Sequence, residues 1–107
     1  MAHSRLFDDF YIAGFKFYDG PVVLKKLSPG KKLKLCLDEE NMNDENAVEI
    51  HYKKTMIGYI PRDRNHVIAQ LLRFGHDDVF ECRILSVDKN ADPWKQVRVG
   101  VYVTDKS

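Results

Sequence analysis

The fold turns on Leu37-Asp38-Glu39-Glu40-Asn41-Met42-Asn43-Asp44-Glu45-Asn46-Ala47-Val48 and on the later run Ile57-Gly58-Tyr59-Ile60-Pro61-Arg62. The first stretch packs acids and amides between two runs that alternate apolar and polar residues. Asp and Asn bond their own backbone and hold a loop in a fixed shape. The second stretch reads as a strand running straight into proline and a helix. A plain hairpin needs fewer polar residues than this, so the loop is the natural place to look for function.

Outward from the loop, the pattern is one of strands. Leu33, Leu35 and Leu37 alternate with Lys32, Lys34 and Cys36, which predicts a half-buried strand over Lys31–Asp38. Val48, Ile50 and Tyr52 share one face of the next strand, with Glu49 and His51 on the other. Lys53-Lys54-Thr55 connects it to a returning strand, Met56–Ile60, so the two form a hairpin. Pro61 ends pairing and suits a helix entry. The helix is expected over Arg62–Phe74, with Val67, Ile68, Leu71 and Leu72 on its inner face and Gly75 at its end. Val79–Asp88 and Lys95–Thr104 close the chain as strands, the second carrying Val97, Val99, Val101 and Val103 in a period of two. Asn90-Ala91-Asp92-Pro93-Trp94 forms the turn between them and ends in the only tryptophan.

Upstream of the loop, Phe10–Tyr18 is aromatic and reads as a first strand, with Gly14 at a bend or bulge. Asp19-Gly20-Pro21 breaks it, and Val22–Leu27 reads either as one short helical turn or as a crossing segment. Five to six strands and one main helix make a mainly β, α+β chain. A small OB-like or SH3-like β-barrel fits that inventory.

The 107 residues suit one domain with a modest core, expected to span 1–107. A formal charge of +1 argues neither for nor against nucleic acid, but the charges are segregated. Lys25, Lys26, Lys31, Lys32 and Lys34 precede the loop, while Asp38, Glu39, Glu40, Asp44, Glu45 and Glu49 lie in and after it. Cys36 and Cys82, both in apolar runs, read as buried reduced thiols rather than as a disulfide scaffold or a zinc site. No signal peptide opens the chain and no run approaches a membrane span, so a cytoplasmic protein is expected.

Catalysis finds little support. His3, His51, His66 and His76 fall in four different contexts; His51 is expected on an exposed strand face. Neither cysteine lies in an activating motif and no serine in a nucleophile elbow, so no catalytic set is assigned. Asp38 to Glu49 has the length of an EF-hand loop, but Met42 falls at a ligand position and Asn43 at the invariant glycine, between strands rather than helices. No metal or cofactor is expected beyond adventitious ion binding by the acids. Nucleic acid has positive signs: Lys16-Phe17-Tyr18 puts a cation beside two aromatics, and Tyr59 with Arg62 repeats the pairing. The bland reading is that Phe17 and one of the tyrosines are core, since neighbours on a strand face opposite ways.

Three motifs in order carry a resemblance: Gly14-Phe15-Lys16-Phe17-Tyr18-Asp19-Gly20, the loop Glu40–Val48, and Gly58-Tyr59-Ile60-Pro61-Arg62 before an amphipathic helix. Together they resemble a HIRAN domain over about Phe10 to Val103, of the kind that stands alone in bacteria. The resemblance implies a modified OB-like barrel and a non-catalytic module that binds single-stranded DNA at its free 3′ end, in repair or replication. It implies a helicase or nuclease partner protein, since relatives are fused to such enzymes. Phe17 and Tyr18 would stack on terminal bases, and Lys16 and Arg62 would hold phosphates. Asp44, positioned by Asn41, would accept a hydrogen bond from the 3′-hydroxyl; a carboxylate rewards a hydroxyl donor and repels a phosphate. Trp94 would occupy the place of an aromatic closing over the DNA end.

The chain departs from the family pattern. Lys16 replaces arginine and loses bidentate phosphate contact, Phe17 replaces tyrosine, Met42-Asn43 replaces Pro-Tyr, and Tyr59 replaces histidine. No phosphate-cradling glycine loop is present, so ATP hydrolysis belongs to the relatives' partner domains. The alternative is a protein-interaction module, accessory to a DNA-processing enzyme, in which the loop is only a brace.

Overall fold

Strict alternation in the sequence becomes sheet in the structure, a computed structural model that describes residues 4–104. His3 lies outside the described residues. Six strands, β1 (Ser4–Tyr11), β2 (Lys32–Leu37), β3 (Val48–Tyr52), β4 (Thr55–Tyr59), β5 (Phe80–Val87) and β6 (Val97–Thr104), pair antiparallel in the order β1-β6-β5-β2-β3-β4. Two helices, α1 (Gly20–Val23) and α2 (His66–Arg73), complete it with short 3-10 turns. Val48, Ile50 and Tyr52 are buried from β3, and Val97, Val99 and Val101 from β6. With Phe10, Ile12, Phe15, Ile57, Ile68 and Ile84 they form the core. No described helix is long and apolar enough to cross a membrane.

The expected mainly β, α+β architecture is present, but the sheet is not a closed barrel. β1 and β4 are its edges, and β2 and β5 pair through Lys32–Arg83 and Leu33–Cys82, with Gly30 and Lys31 bonded to Ile84 just ahead of them, before they splay apart. Beyond β1, however, the chain crosses back onto β4. Ala13 and Tyr59 form an isolated bridge, each N–H donating to the other's carbonyl at 2.9 Å. The segment that continues β1 is thereby bonded to the β4 edge, and further along Asp19 N–H donates to the Met56 carbonyl at 3.1 Å.

Several boundaries move for physical reasons. The first strand lies at Ser4–Tyr11 rather than Phe10–Tyr18. Gly14, at φ +72°, turns the chain left-handed into a 3-10 turn over Phe15–Phe17, and only Phe15 of that turn is buried. The polar residues of β1 are held by ion pairs instead, Arg98 Nε donating to Asp9 Oδ2 at 2.9 Å and Arg64 to Asp8 at 2.6 Å. Val22–Leu27 resolves as the end of α1 and a 3-10 turn over Leu24–Lys26. The single long helix becomes a 3-10 turn, Arg62–Arg64, then Asn65, then α2. Its inner face is Asn65, Ile68, Ala69 and Leu72, leaving Val67 exposed. His51 is half-buried, with Nε2 2.8 Å from Glu49 Oε1, rather than on an open face. Cys82 is buried as expected, which pushes its thiol up to about 12, but Cys36 is only half-buried.

The crossing needs a residue without a side chain. Gly58 has φ +148°, and a Cβ there would lie 2.4 Å from Ile12 Cγ2 and 2.6 Å from the Ala13 carbonyl oxygen. Gly58→Ala should therefore pry the edges apart and cost about 2–3 kcal/mol, read as a fall in Tm of roughly 10–20 °C. An unchanged Tm would mean that the edges do not meet in solution.

Candidate functional site

The acidic loop is built by its own side chains. Asp38 N–H donates to the Ala47 carbonyl at 2.9 Å and closes the loop at its base. Inside, Asn41 Oδ1 accepts the backbone N–H groups of Asn43 and Asp44, both at 2.9 Å, and Asp44 Oδ1 accepts that of Asn46 at 3.0 Å. These are short-range turns of the kind Asn and Asp favour, so the local sequence is enough to shape them.

What the local sequence does not supply is the clamp on the helix side. Asn65 is the one buried polar residue among those described, 2% exposed, and its Nδ2 donates to Asp44 Oδ2 at 2.9 Å. It precedes α2 yet makes no side-chain cap to that helix. Its amide goes to the loop instead. Arg62 Nε lies 3.6 Å from the same oxygen, with a guanidinium that is mostly exposed. Arg73 and Gln70 of α2 hold the far end of the loop through the Glu45 carbonyl, at 2.6 Å, and Asn46 Oδ1, at 3.2 Å.

Opposite the loop stands an aromatic wall. The crossing of residues 12–18 over β4 brings Tyr18 edge-on to Tyr59, ring centroids 5.3 Å apart. Tyr59 donates its hydroxyl to Asp38 Oδ2 at 2.7 Å, and Asn41 Nδ2 reaches the same oxygen at 3.4 Å. Burial first, and then the Asp38 carboxylate beside it, push the Tyr59 phenol well above its ordinary value. Between wall and loop lies an open cleft of about 400 Å³, lined by Gly14, Phe17, Tyr18, Asn41, Asn43, Asp44, Tyr59 and Arg62 among others. Phe17, 81% exposed, stands between this cleft and a smaller hollow of about 130 Å³ that holds Lys16, Pro93 and Trp94.

Of the residues singled out from sequence, Phe17, Tyr18, Asn41, Asp44, Tyr59 and Arg62 line the cleft, while Lys16 and Trp94 line the neighbouring hollow. Asp38, Asn43 and Asn65 belong to the same constellation and were not singled out. Asn65 left one signal, an amide at the start of an apolar helical run, although its side chain serves the loop and not the helix. Among the described residues no three His, Cys, Asp or Glu side chains converge to hold a metal ion.

A family model described as the HIRAN domain matches residues 8–105. A crystal structure of a protein from Lactobacillus plantarum shares the fold with TM-score 0.78 at 20% identity, covering 98% of this chain and 99% of the other. The HIRAN domain of human HLTF shares it with TM-score 0.62 at 15% identity, covering 94% of this chain and 77% of that one. None of the curated proteins matches.

Two outcomes are expected of this site. Asn65→Ala strips a buried donor from a carboxylate and should cost about 1–3 kcal/mol in urea unfolding; no loss would mean that Asp44 finds other partners. Tyr59→Phe should be less stable than the wild type at pH 8. The gap should close above about pH 10, where the unfolded phenol ionises and the folded one resists. A gap that stays constant with pH would mean that Asp38 does not hold the Tyr59 proton.

Proposed function

The chain belongs to the HIRAN domain family, and from that premise we propose a non-catalytic module that binds single-stranded nucleic acid, with DNA 3′ ends in repair or replication as its ligand. The observation that carries the reading is the pairing of an aromatic wall with a braced carboxylate across one cleft. Tyr18 and Tyr59 offer faces and edges for a base, and Phe17 separates that space from the Lys16–Trp94 hollow. Stacking of this kind tolerates any base. Arg62, mostly exposed at the cleft, and Lys16 beyond it are the cations that would meet phosphates. Asp44 would accept the terminal hydroxyl and repel a terminal phosphate. On this reading the curled sheet serves as an OB-like scaffold, the whole of 1–107 acts as one unit, and a helicase or nuclease supplies the chemistry elsewhere.

One observation favours the alternative, a protein-interaction module in which the loop is only a brace. The Asp44 carboxylate is 15% exposed and already accepts from Asn46 and Asn65. Loss of stability on replacing Asp44 therefore cannot separate the two readings. Ligand discrimination can.

The test is fluorescence anisotropy with a short 5′-labelled DNA strand ending in a 3′-hydroxyl or a 3′-phosphate, across a salt series. The hydroxyl end should bind tighter, with a log–log salt slope of about −0.7 per phosphate neutralised. Arg62→Ala should weaken binding to both ends and remove about one such increment of slope. Binding indifferent to the end would leave only a general single-strand groove. No binding at low salt would transfer the function to a protein partner.

A further inference from the structure

Among the described residues of the cleft, one side-chain amide has no hydrogen-bond partner. The Tyr59 hydroxyl is given to Asp38, and Asn41 spends its oxygen on two backbone N–H groups and its Nδ2 on Asp38. Asp44 accepts from Asn46 and Asn65, and Arg62 faces Asp44. Among the described cleft residues, only the Tyr18 hydroxyl and the Asn43 side chain remain uncommitted. Asn43 is exposed, but it is not loose: its backbone N–H is tied to Asn41 Oδ1 at 2.9 Å. Both Asn43 and the next residue, Asp44, line the same cleft.

We propose that Asn43 determines the sugar specificity of the cleft by reading the 2′-hydroxyl of the terminal nucleotide, so that the preferred ligand is an end bearing a vicinal 2′,3′-diol. The proposal rests on the end-binding reading above. If Asp44 takes the 3′-hydroxyl, Asn43, which lines the same cleft and has an uncommitted amide, is the side chain left to meet the second hydroxyl of the ring. The chemistry matches, because a hydroxyl is donor and acceptor at once and so is an amide, whereas the carboxylate of Asp44 only accepts. The aromatic wall is left for the base. A contact to the 2′-hydroxyl is what distinguishes ribose from deoxyribose.

Such an end can come from an RNA strand or from a DNA strand closed by a single ribonucleotide. Three 5′-labelled oligonucleotides of one sequence, all with a 3′-hydroxyl, separate these: all-DNA, DNA with one terminal ribonucleotide, and all-RNA. One added hydrogen bond at an open site should tighten both ribose-ended strands about five-fold over all-DNA in anisotropy. Asn43→Ala should erase that preference, bringing the affinity ratio between the ribose-ended DNA strand and the all-DNA strand to about one. Among the described residues no hydrogen bond passes through the Asn43 side chain, so the variant should melt as the wild type does. Equal affinity of both ribose-ended strands would show that the terminal sugar suffices, and tighter all-RNA that the strand itself is the source. Equal binding of all three by the wild type, or a ribose preference that survives Asn43→Ala, would overturn the proposal and leave the end-binding reading standing. Failure of all three strands to bind would remove both.

Discussion

The contact on which everything else depends is the crossing of residues 12–18 over β4. Two backbone hydrogen bonds between Ala13 and Tyr59 hold it, and the bare backbone at Gly58 lets it happen. Without it the sheet would be an open strip with β1 and β4 at opposite edges. With it, Phe17 and Tyr18 arrive beside Tyr59 and opposite the acidic loop. A second tight approach supports the same corner, because a Cβ at Gly20 would collide with the buried Phe15 ring at 2.5 Å. The cleft is thus a by-product of how the two edges of the sheet are brought together.

The acidic loop shows how a polar segment can be made rigid without a core of its own. Its turns are set by side chain–backbone bonds over two or three residues, and its position is set by Asn65, Gln70 and Arg73 from the helix side. The division has an energetic logic. Local Asx turns limit what an unbound loop must lose on ordering, while a buried amide is costly unless it is paired and so admits few alternatives. Asn65 and Asp44 satisfy that condition for each other.

Charge is arranged on the same plan. The cations nearest the cleft, Arg62 and Lys16, are not deeply paired, whereas Arg83 and Arg98 are engaged by Glu81 and Asp9 and lie over Tyr102 and Tyr11. Those guanidiniums are raised above their ordinary value by the hydrogen bonds to Glu81 and Asp9, as expected for structural pairs. A net charge of +1 hides this difference between cations that build the sheet and cations exposed beside the cleft.

The sequence by itself determined the element types. Period-two alternation marked β2, β3 and β6 nearly to the residue, Pro61 and Gly75 bracketed the helical region, and the density of Asn and Asp marked the loop. It also pointed to six residues that line the cleft, because their motifs occur in order along the chain. It misplaced the first strand, since aromatic residues mark burial in a turn as readily as in a sheet, and it ran the helix through Asn65, whose side chain serves the loop. Only the tertiary structure decided which side chains face each other. Tyr59 meets Asp38, and Asn65 meets Asp44, across 21 residues in each case. Periodicity reports the environment of a segment against a core, which is a local property. The partner of a particular donor is fixed by the register and crossing of distant strands, and no local pattern records it.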